Sequence, residues 1–298
     1  MPTTVSNGLQ DLDSGYSAEL GIVTVAHSFG RDLDLCFEEI GIILAKAQDL
    51  GAKLVVFPEA TLGGYLSNLG GNHQDLPPGL SLDGPEISRL AAMAEGIVVC
   101  AGYCEIDRGK RYNAAVAVYE GQILANYRKI HQPLGESASY EAGEDIQAFD
   151  TPFGRMGMLI CYDKAFPEAA RTLALDGARI IISLSAWPAS RTEPNEDIAL
   201  DRWTQRFDLF DRARALENQV IWVAANQTGE FGSLRFVGRA KIVGPGGDIL
   251  AETGTTAGIA NISIDVEGAL SLARRSMFHL RDRSPNAYRI GIETEVLS

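Results

Sequence analysis

Three polar side chains stand where apolar, strand-like runs end, and each is of a type that takes part in bond making: Glu59 in LVVFPEA, Lys129 in NYRKIH and Cys161 in GMLICYD. Strand C-termini are where α/β folds expose side chains into a ligand crevice. A carboxylate placed directly after Leu-Val-Val-Phe-Pro sheds water and becomes a base usable near neutral pH. Cys161 lies between a buried strand and a helix entry, at a turn like a nucleophile elbow. Backbone N–H groups and the positive helix end there are expected to lower its thiol pKa and to bind an oxyanion. A lone lysine is ordinarily a surface charge; apolar neighbours and the company of the other two single out Lys129. A base, a cation and a thiol together point to nucleophilic catalysis without a cofactor.

The elements that must position them alternate along the chain. Residues 20–27 read as a buried strand, and 31–51 as a helix with apolar residues at Leu33, Cys36, Phe37, Ile40, Ile43, Leu44 and Ala47. A short strand over 53–60 ends at Pro58, and 85–96 is a helix with Pro85 in its first turn. Residues 97–106, 113–120 and 123–130 suggest consecutive antiparallel strands. A strand over 155–163, a helix starting near Pro167, a strand over 178–187, a helix over 202–219 and a strand over 220–227 follow. A hairpin over 239–252 turns at Gly244–Gly247. The last thirty or so residues are charged and less periodic. This mixture of β-α repeats and a meander predicts an α/β fold of two packed sheets with helices outside. Residues 1–17 read as a polar, flexible tail, and 18–298 as one domain with a C-terminal extension.

Composition narrows the function. With 26 Lys+Arg against 39 Asp+Glu the net charge is −13, which disfavours nucleic acid as a partner. No apolar run is long enough for a membrane helix, and the N-terminus does not read as a signal peptide. Four cysteines are too few for a disulfide scaffold, which suggests a reducing, cytoplasmic setting. Cys36, Cys100 and Cys104 fall inside helix or strand patterns and read as packing. The four histidines form no metal-spaced pair, so no metal is expected. His131 is the nearest candidate for a Cys–His arrangement, but no spacing selects it. No nucleotide-binding loop is present. Tyr65, Trp187 and the loop 187–200 are expected to line a pocket, although Trp187 reads equally as core. Glu168 and Arg171, three apart on a helix, read as a structural ion pair.

Three ordered segments, VVFPEATLGGY, YRKIHQP and GMLICYDKAFPEAAR, resemble the nitrilase superfamily of carbon–nitrogen hydrolases. YEAGED (140–145), RARALENQ (212–219) and HLRDRSPNAY (279–288) add to the resemblance, which runs from about residue 19 to the end. It implies a four-layer α-β-β-α sandwich that pairs into an eight-layer homodimer or a higher homo-oligomer, with no cofactor. It also implies Glu59 as general base, Lys129 as oxyanion stabiliser and Cys161 as nucleophile. A second family glutamate falls best on Glu136, with Glu141 the alternative, and the Tyr162 backbone N–H completes the oxyanion site. The expected substrate is a small amide. Tyr-Asp after the nucleophile resembles the family's amidases more than its nitrilases, while FPEAAR resembles its carbamoyl-hydrolysing branches. N-carbamoyl amines or amino acids and nitriles are therefore the alternatives.

Overall fold

The computed structural model describes residues 19–70 and 75–289. The tail expected over 1–17 lies outside the described residues. The first strand, β1 (Leu20–His27), leads into α1 (Leu33–Asp49). Asp32 caps that helix by accepting from the backbone N–H groups of Asp34 and Leu35 at 2.9 and 3.2 Å, a contribution of ~1 kcal/mol. Then come β2 (Leu54–Val56), α2 (Pro85–Met93), and the meander β3 (Val98–Asp107), β4 (Lys110–Tyr119) and β5 (Gln122–Arg128). The second half runs β6 (Phe149–Thr151), β7 (Gly154–Ile160), α3 (Pro167–Leu175), β8 (Ile180–Ser185), α4 (Arg202–Asn218) and β9 (Ile221–Phe231). It closes with β10 (Leu234–Val237), β11 (Lys241–Val243), β12 (Ile249–Glu252), β13 (Gly258–Ile264) and α5 (Val266–Arg274).

The strands follow the order β5-β4-β3-β2-β1-β9-β8-β7-β6. Strands β1, β2 and β3 are parallel, as are β7, β8 and β9. The sequence predicts two packed sheets, and the structure builds them as two leaves of one continuous sheet. Among the described residues the only ladder between the halves is Ala26 with Asn226 and His27 with Gln227. Away from that junction β1 pairs with β13 and β9 with β11, so the sheet folds over into two leaves.

The period of two along each strand sorts side chains into layers. Leu54, Val56, Val98, Cys100, Ala115 and Ala117 of the first leaf share a core with Met158 and Ile182 of the second. Their alternates Val55, Val99, Val116 and Val118 face outward under α1 and α2, packed against Phe37, Ile40 and Leu44. Ala169 and Leu173 of α3 and Phe207 and Ala215 of α4 cover the second leaf. The layers are therefore α-β-β-α. Central strands such as β2 and β8 are buried on both faces, which is why they read as unbroken apolar runs. Among the described residues no helix is long and apolar enough to cross a membrane.

Candidate active site

The leaf junction sits at the C-terminal end of β1, beside those of β2 and β8, and Glu59, Lys129, Glu136 and Cys161 gather there. Glu59 follows β2 through a tight turn in which Ala60 takes a left-handed φ of 57°. That turn lies directly on β3: a Cβ at Gly102 would stand 2.6 Å from the Glu59 Cα and 2.4 Å from the Ala60 nitrogen. Only glycine lets the base approach so closely. The Gln227 amide, at the junction itself, donates to the Glu59 carbonyl at 2.9 Å. Both carboxylate oxygens accept hydrogen bonds. Oε1 takes Asn113 Nδ2 at 2.6 Å and Lys129 Nζ at 3.0 Å, and Oε2 takes the Ala186 N–H at 2.6 Å.

Lys129 leaves the end of β5 and is pinned by its own backbone, its N–H donating to Asn113 and its carbonyl accepting from Gly143, both at 2.8 Å. Its ammonium also donates to Glu136 Oε1 at 2.8 Å. Glu136 opens a one-turn 3-10 helix, Glu136–Ala138, and its Oε1 accepts a second bond from the Tyr65 hydroxyl. Its Oε2 is buried without a partner among the described residues. Glu59, Lys129 and Glu136 have no solvent exposure at all. Glu141, the alternative glutamate, is exposed beside Lys110; the buried position belongs to Glu136.

Burial shapes the protonation of this cluster. It pushes the Glu136 carboxyl up to about 7, against the pull of the Lys129 ammonium. Burial alone would push Lys129 down, but Glu136 and Glu59 hold it well above the ordinary lysine value. The Cys161 thiol is raised well above its ordinary value, first by burial and then by the Glu59 charge, with Lys129 opposing. This corrects the expected lowering. The residues after Cys161 form a 3-10 turn, Cys161–Ala165, and the α-helix begins only at Pro167.

Cys161 itself takes the strained left-handed conformation, φ 51°, as a nucleophile elbow requires. Asp163 secures the turn. Its carboxylate accepts from the Ile160 N–H at 3.0 Å, the Tyr127 hydroxyl at 2.7 Å and the His131 N–H at 2.9 Å, and it meets His131 Nδ1 at 2.8 Å. His131 also stacks on Phe166, with ring centroids 3.6 Å apart. It therefore braces the elbow, and among the described residues no hydrogen bond joins it to Cys161. Beneath the turn Lys164 donates to Asp211 at 2.6 Å, and Arg214 donates to the Lys164 carbonyl at 2.8 Å. This places the RARALENQ segment as a buttress of the elbow.

Cys161, Tyr162, Tyr65, Ala186 and Trp187 border a cavity of about 390 Å³. Trp187 is both wall and core. It is 5 % exposed, its indole N–H donates to the Trp203 carbonyl at 3.0 Å, and its backbone N–H donates to Asn226 at 2.8 Å. Beyond Trp187 and Pro188 the loop 187–200 does not reach the cavity; Trp203, Arg206 and Phe210 of α4 form that wall. A larger hollow of about 580 Å³ lies by the β3–β4 turn, where Arg128 is tied to Glu105 and Asp107. None of the four clustered residues borders it, so the smaller cavity is the one next to the chemistry. The pair Glu168–Arg171 does not form: Arg171 turns to α4 and donates to the Glu217 carbonyl at 2.8 Å.

The sequence model described as "carbon-nitrogen hydrolase" matches residues 21–274. The chain belongs to the carbon–nitrogen hydrolase family. This hydrolase is 31% identical over 243 residues to a probable nitrilase of Schizosaccharomyces pombe, covering 79% of this chain and 84% of that protein. It is 31% identical over 258 residues to an (R)-stereoselective amidase of a Pseudomonas species, covering 85% and 88%. Its fold matches a carbon–nitrogen hydrolase structure from Helicobacter pylori with a TM-score of 0.79 at 24% identity, over 93% of this chain and 99% of that one. It is an enzyme that hydrolyses carbon–nitrogen bonds. Asn113, Gln227, Asp163 and the Lys164–Asp211 pair escape sequence reasoning. Asn113 alone carries a signal, as the polar residue opening the NAAVAVYE run.

Proposed function

We propose that this carbon–nitrogen hydrolase converts a small amide to its acid and ammonia through a thioester on Cys161. The observation that carries the reading is the buried cluster Glu59–Lys129–Glu136 beside a thiol that presents itself from a left-handed turn at the cavity wall. Because burial holds that thiol protonated, a base must remove the proton as sulfur attacks. Glu59 is that base, and Asn113, Lys129 and the Ala186 N–H fix its orientation.

As Sγ bonds to the amide carbon, the carbonyl π pair moves to oxygen. Lys129 has three N–H bonds and spends two on carboxylates; the third, with the Tyr162 backbone N–H, stabilises the new oxyanion. Losing one such donor typically costs about 100- to 1000-fold in turnover. The oxyanion collapses, the C–N bond breaks and Glu59 returns its proton to the departing nitrogen. Water then gives a proton to Glu59 and its hydroxyl to the thioester carbon, and the leaving thiolate recovers that proton. Glu136 orients Lys129, and its unpartnered Oε2 suits an amide N–H donor.

Amide substrates are preferred to nitriles on the Tyr-Asp sequence after Cys161 and on the amidase relative. Carbamoyl compounds are the second reading, on FPEAAR. The protein works as a homodimer or higher homo-oligomer in the cytoplasm, where its four unpaired cysteines stay reduced. Matched amide, nitrile and carbamoyl substrates assayed for ammonia and carbon dioxide separate the readings. Ammonia without carbon dioxide from amides is expected. Turnover of nitriles alone, or carbon dioxide release from carbamoyl compounds as the dominant activity, contradicts it.

A further inference from the structure

The elbow carries a buried charge that its packing does not need. Asp163 fixes the backbone of the turn, and Arg214 donates to the carbonyls of Lys164 and Ala165. The Lys164 side chain adds an ammonium with no solvent exposure. Apolar residues of similar volume commonly replace a buried ion pair without loss of stability, so the charge itself calls for an explanation.

That charge lies close to the sulfur. Only Tyr162 and Asp163 separate Lys164 from Cys161 in the 3-10 turn; at about 2 Å of rise per residue their α-carbons stand roughly 6 Å apart. The ammonium is 5.9 Å from the ring centre of Trp187, which borders the cavity with Cys161, and 3.7 Å from that of Phe207. It therefore sits just behind the cavity wall. Among the described residues its one acid is Asp211 at 2.6 Å. Asp211 also serves Lys241 at 3.3 Å and the Trp222 indole N–H at 2.8 Å, while Lys241 has a second, partly exposed acid in Asp208.

Behind the wall, then, two buried ammoniums share one buried carboxylate. Beside Cys161 the pattern is reversed, and Glu59 and Glu136 share Lys129. Burial and Glu59 raise the thiol, Glu136 adds to them, and Lys129 and Lys164 pull the other way. Burial draws the Lys164 ammonium itself below its ordinary value, and Asp211 resists this. Lys129 is held by two carboxylates and faces the oxyanion, which leaves Lys164 as the cation whose field serves the sulfur in a water-poor setting.

We propose that Lys164 is a positioning residue that acts through Cys161, its ammonium stabilising negative charge on the sulfur from behind the Trp187 wall; this rests on the thioester reading above. Lys164 exchanges no proton and touches no reacting atom. The thiol proton passes to Glu59 as sulfur bonds to the amide carbon. When water opens the thioester, the electron pair of the C–S bond returns to sulfur. Lys164 favours the charge on sulfur in both steps.

Iodoacetamide alkylation of the full chain at a fixed, mildly alkaline pH tests this, with the adduct followed by mass spectrometry on the peptide holding Cys161. Charge and bracing predict opposite signs. If Lys164 only braced the elbow, its loss would admit water to the sulfur, lower the thiol toward its ordinary value and speed alkylation. The proposal predicts that Lys164→Met slows alkylation about three- to tenfold, a loss of thiolate partly offset by the greater nucleophilicity of a more basic sulfur. Lys164→Arg, which keeps the charge, recovers part of the rate. Should Lys164→Met not fold, Lys164→Met/Asp211→Asn leaves neither member of the pair charged, keeps an oxygen for the Trp222 N–H, and is read by the same sign. Alkylation as fast as in wild type, or faster, overturns the proposal. Slower alkylation in the variant, with no ammonia from any amide in wild type, sinks the amidase reading and leaves the role of Lys164 standing. Ammonia release by wild type, with alkylation indifferent to Lys164, does the reverse.

Discussion

Glu136→Gln tests the electrostatics of the site without emptying it. The amide keeps an oxygen for the Tyr65 hydroxyl and the Lys129 ammonium that now share Oε1, but removes the charge. Burial raises the native carboxyl from 4.5 to about 7, a difference of roughly 3 kcal/mol between its two protonation states. The folded protein therefore holds a proton that the unfolded chain has already released. The stability tied to that proton is fully present below pH 4.5 and is lost as pH rises through about 7. Glutamine cannot titrate, so the stability of the variant relative to wild type should rise between pH 5 and 8, by up to about 3 kcal/mol. Denaturant unfolding of both proteins at several pH values measures this, and groups remote from the site cancel in the difference. The same protonation weakens the hold on Lys129, so wild-type kcat/KM should fall below about pH 7. The variant should be slower by roughly 5- to 30-fold, as a charge-assisted hydrogen bond becomes a neutral one, and should lose that acid limb. A stability difference flat from pH 5 to 8, with both acid limbs coincident, refutes the reasoning.

Two further substitutions probe the scaffold. Gly102→Ala drives a methyl into the Glu59 turn, so turnover should fall by at least about 100-fold with a loss of ~1–3 kcal/mol in stability; unchanged kinetics would show that the base is not positioned by β3. Asp211→Ala leaves Lys164 a buried cation without its acid, while Lys241 keeps Asp208. It should cost about 3–5 kcal/mol and disturb the elbow, read as a lower Tm together with slower turnover; a Tm within a degree or two of wild type would remove the buttress from the account.

The site was legible in the sequence where a reactive side chain ends an apolar run. Glu59 and Cys161 are marked this way, and the order of the three motifs brings in Lys129. The layering is also written locally, because β2 and β4 alternate apolar residues between two cores. The partners that make the site work are not. Asn113 reaches Glu59 across 54 positions within the first leaf, and Gln227 reaches it across 168 where the two leaves meet; no local pattern records either contact. The thiol is misjudged for a related reason. A strand followed by FPEAAR implies a helix end at the sulfur, whereas Pro167 starts the helix six residues later and burial dominates. Elements with one exposed side are also missed: β13 buries only Ala260 and α5 only Leu270.

The central claim is a covalent bond between substrate acyl group and Cys161. Intact-protein mass spectrometry of enzyme mixed with a hydrolysed amide and quenched in acid within milliseconds tests it most directly. The account predicts a mass gain equal to the acyl group on the peptide holding Cys161, discharged by hydroxylamine and absent in Cys161→Ala. An acyl group on another residue, or full turnover by Cys161→Ala with no adduct at any quench time, contradicts it.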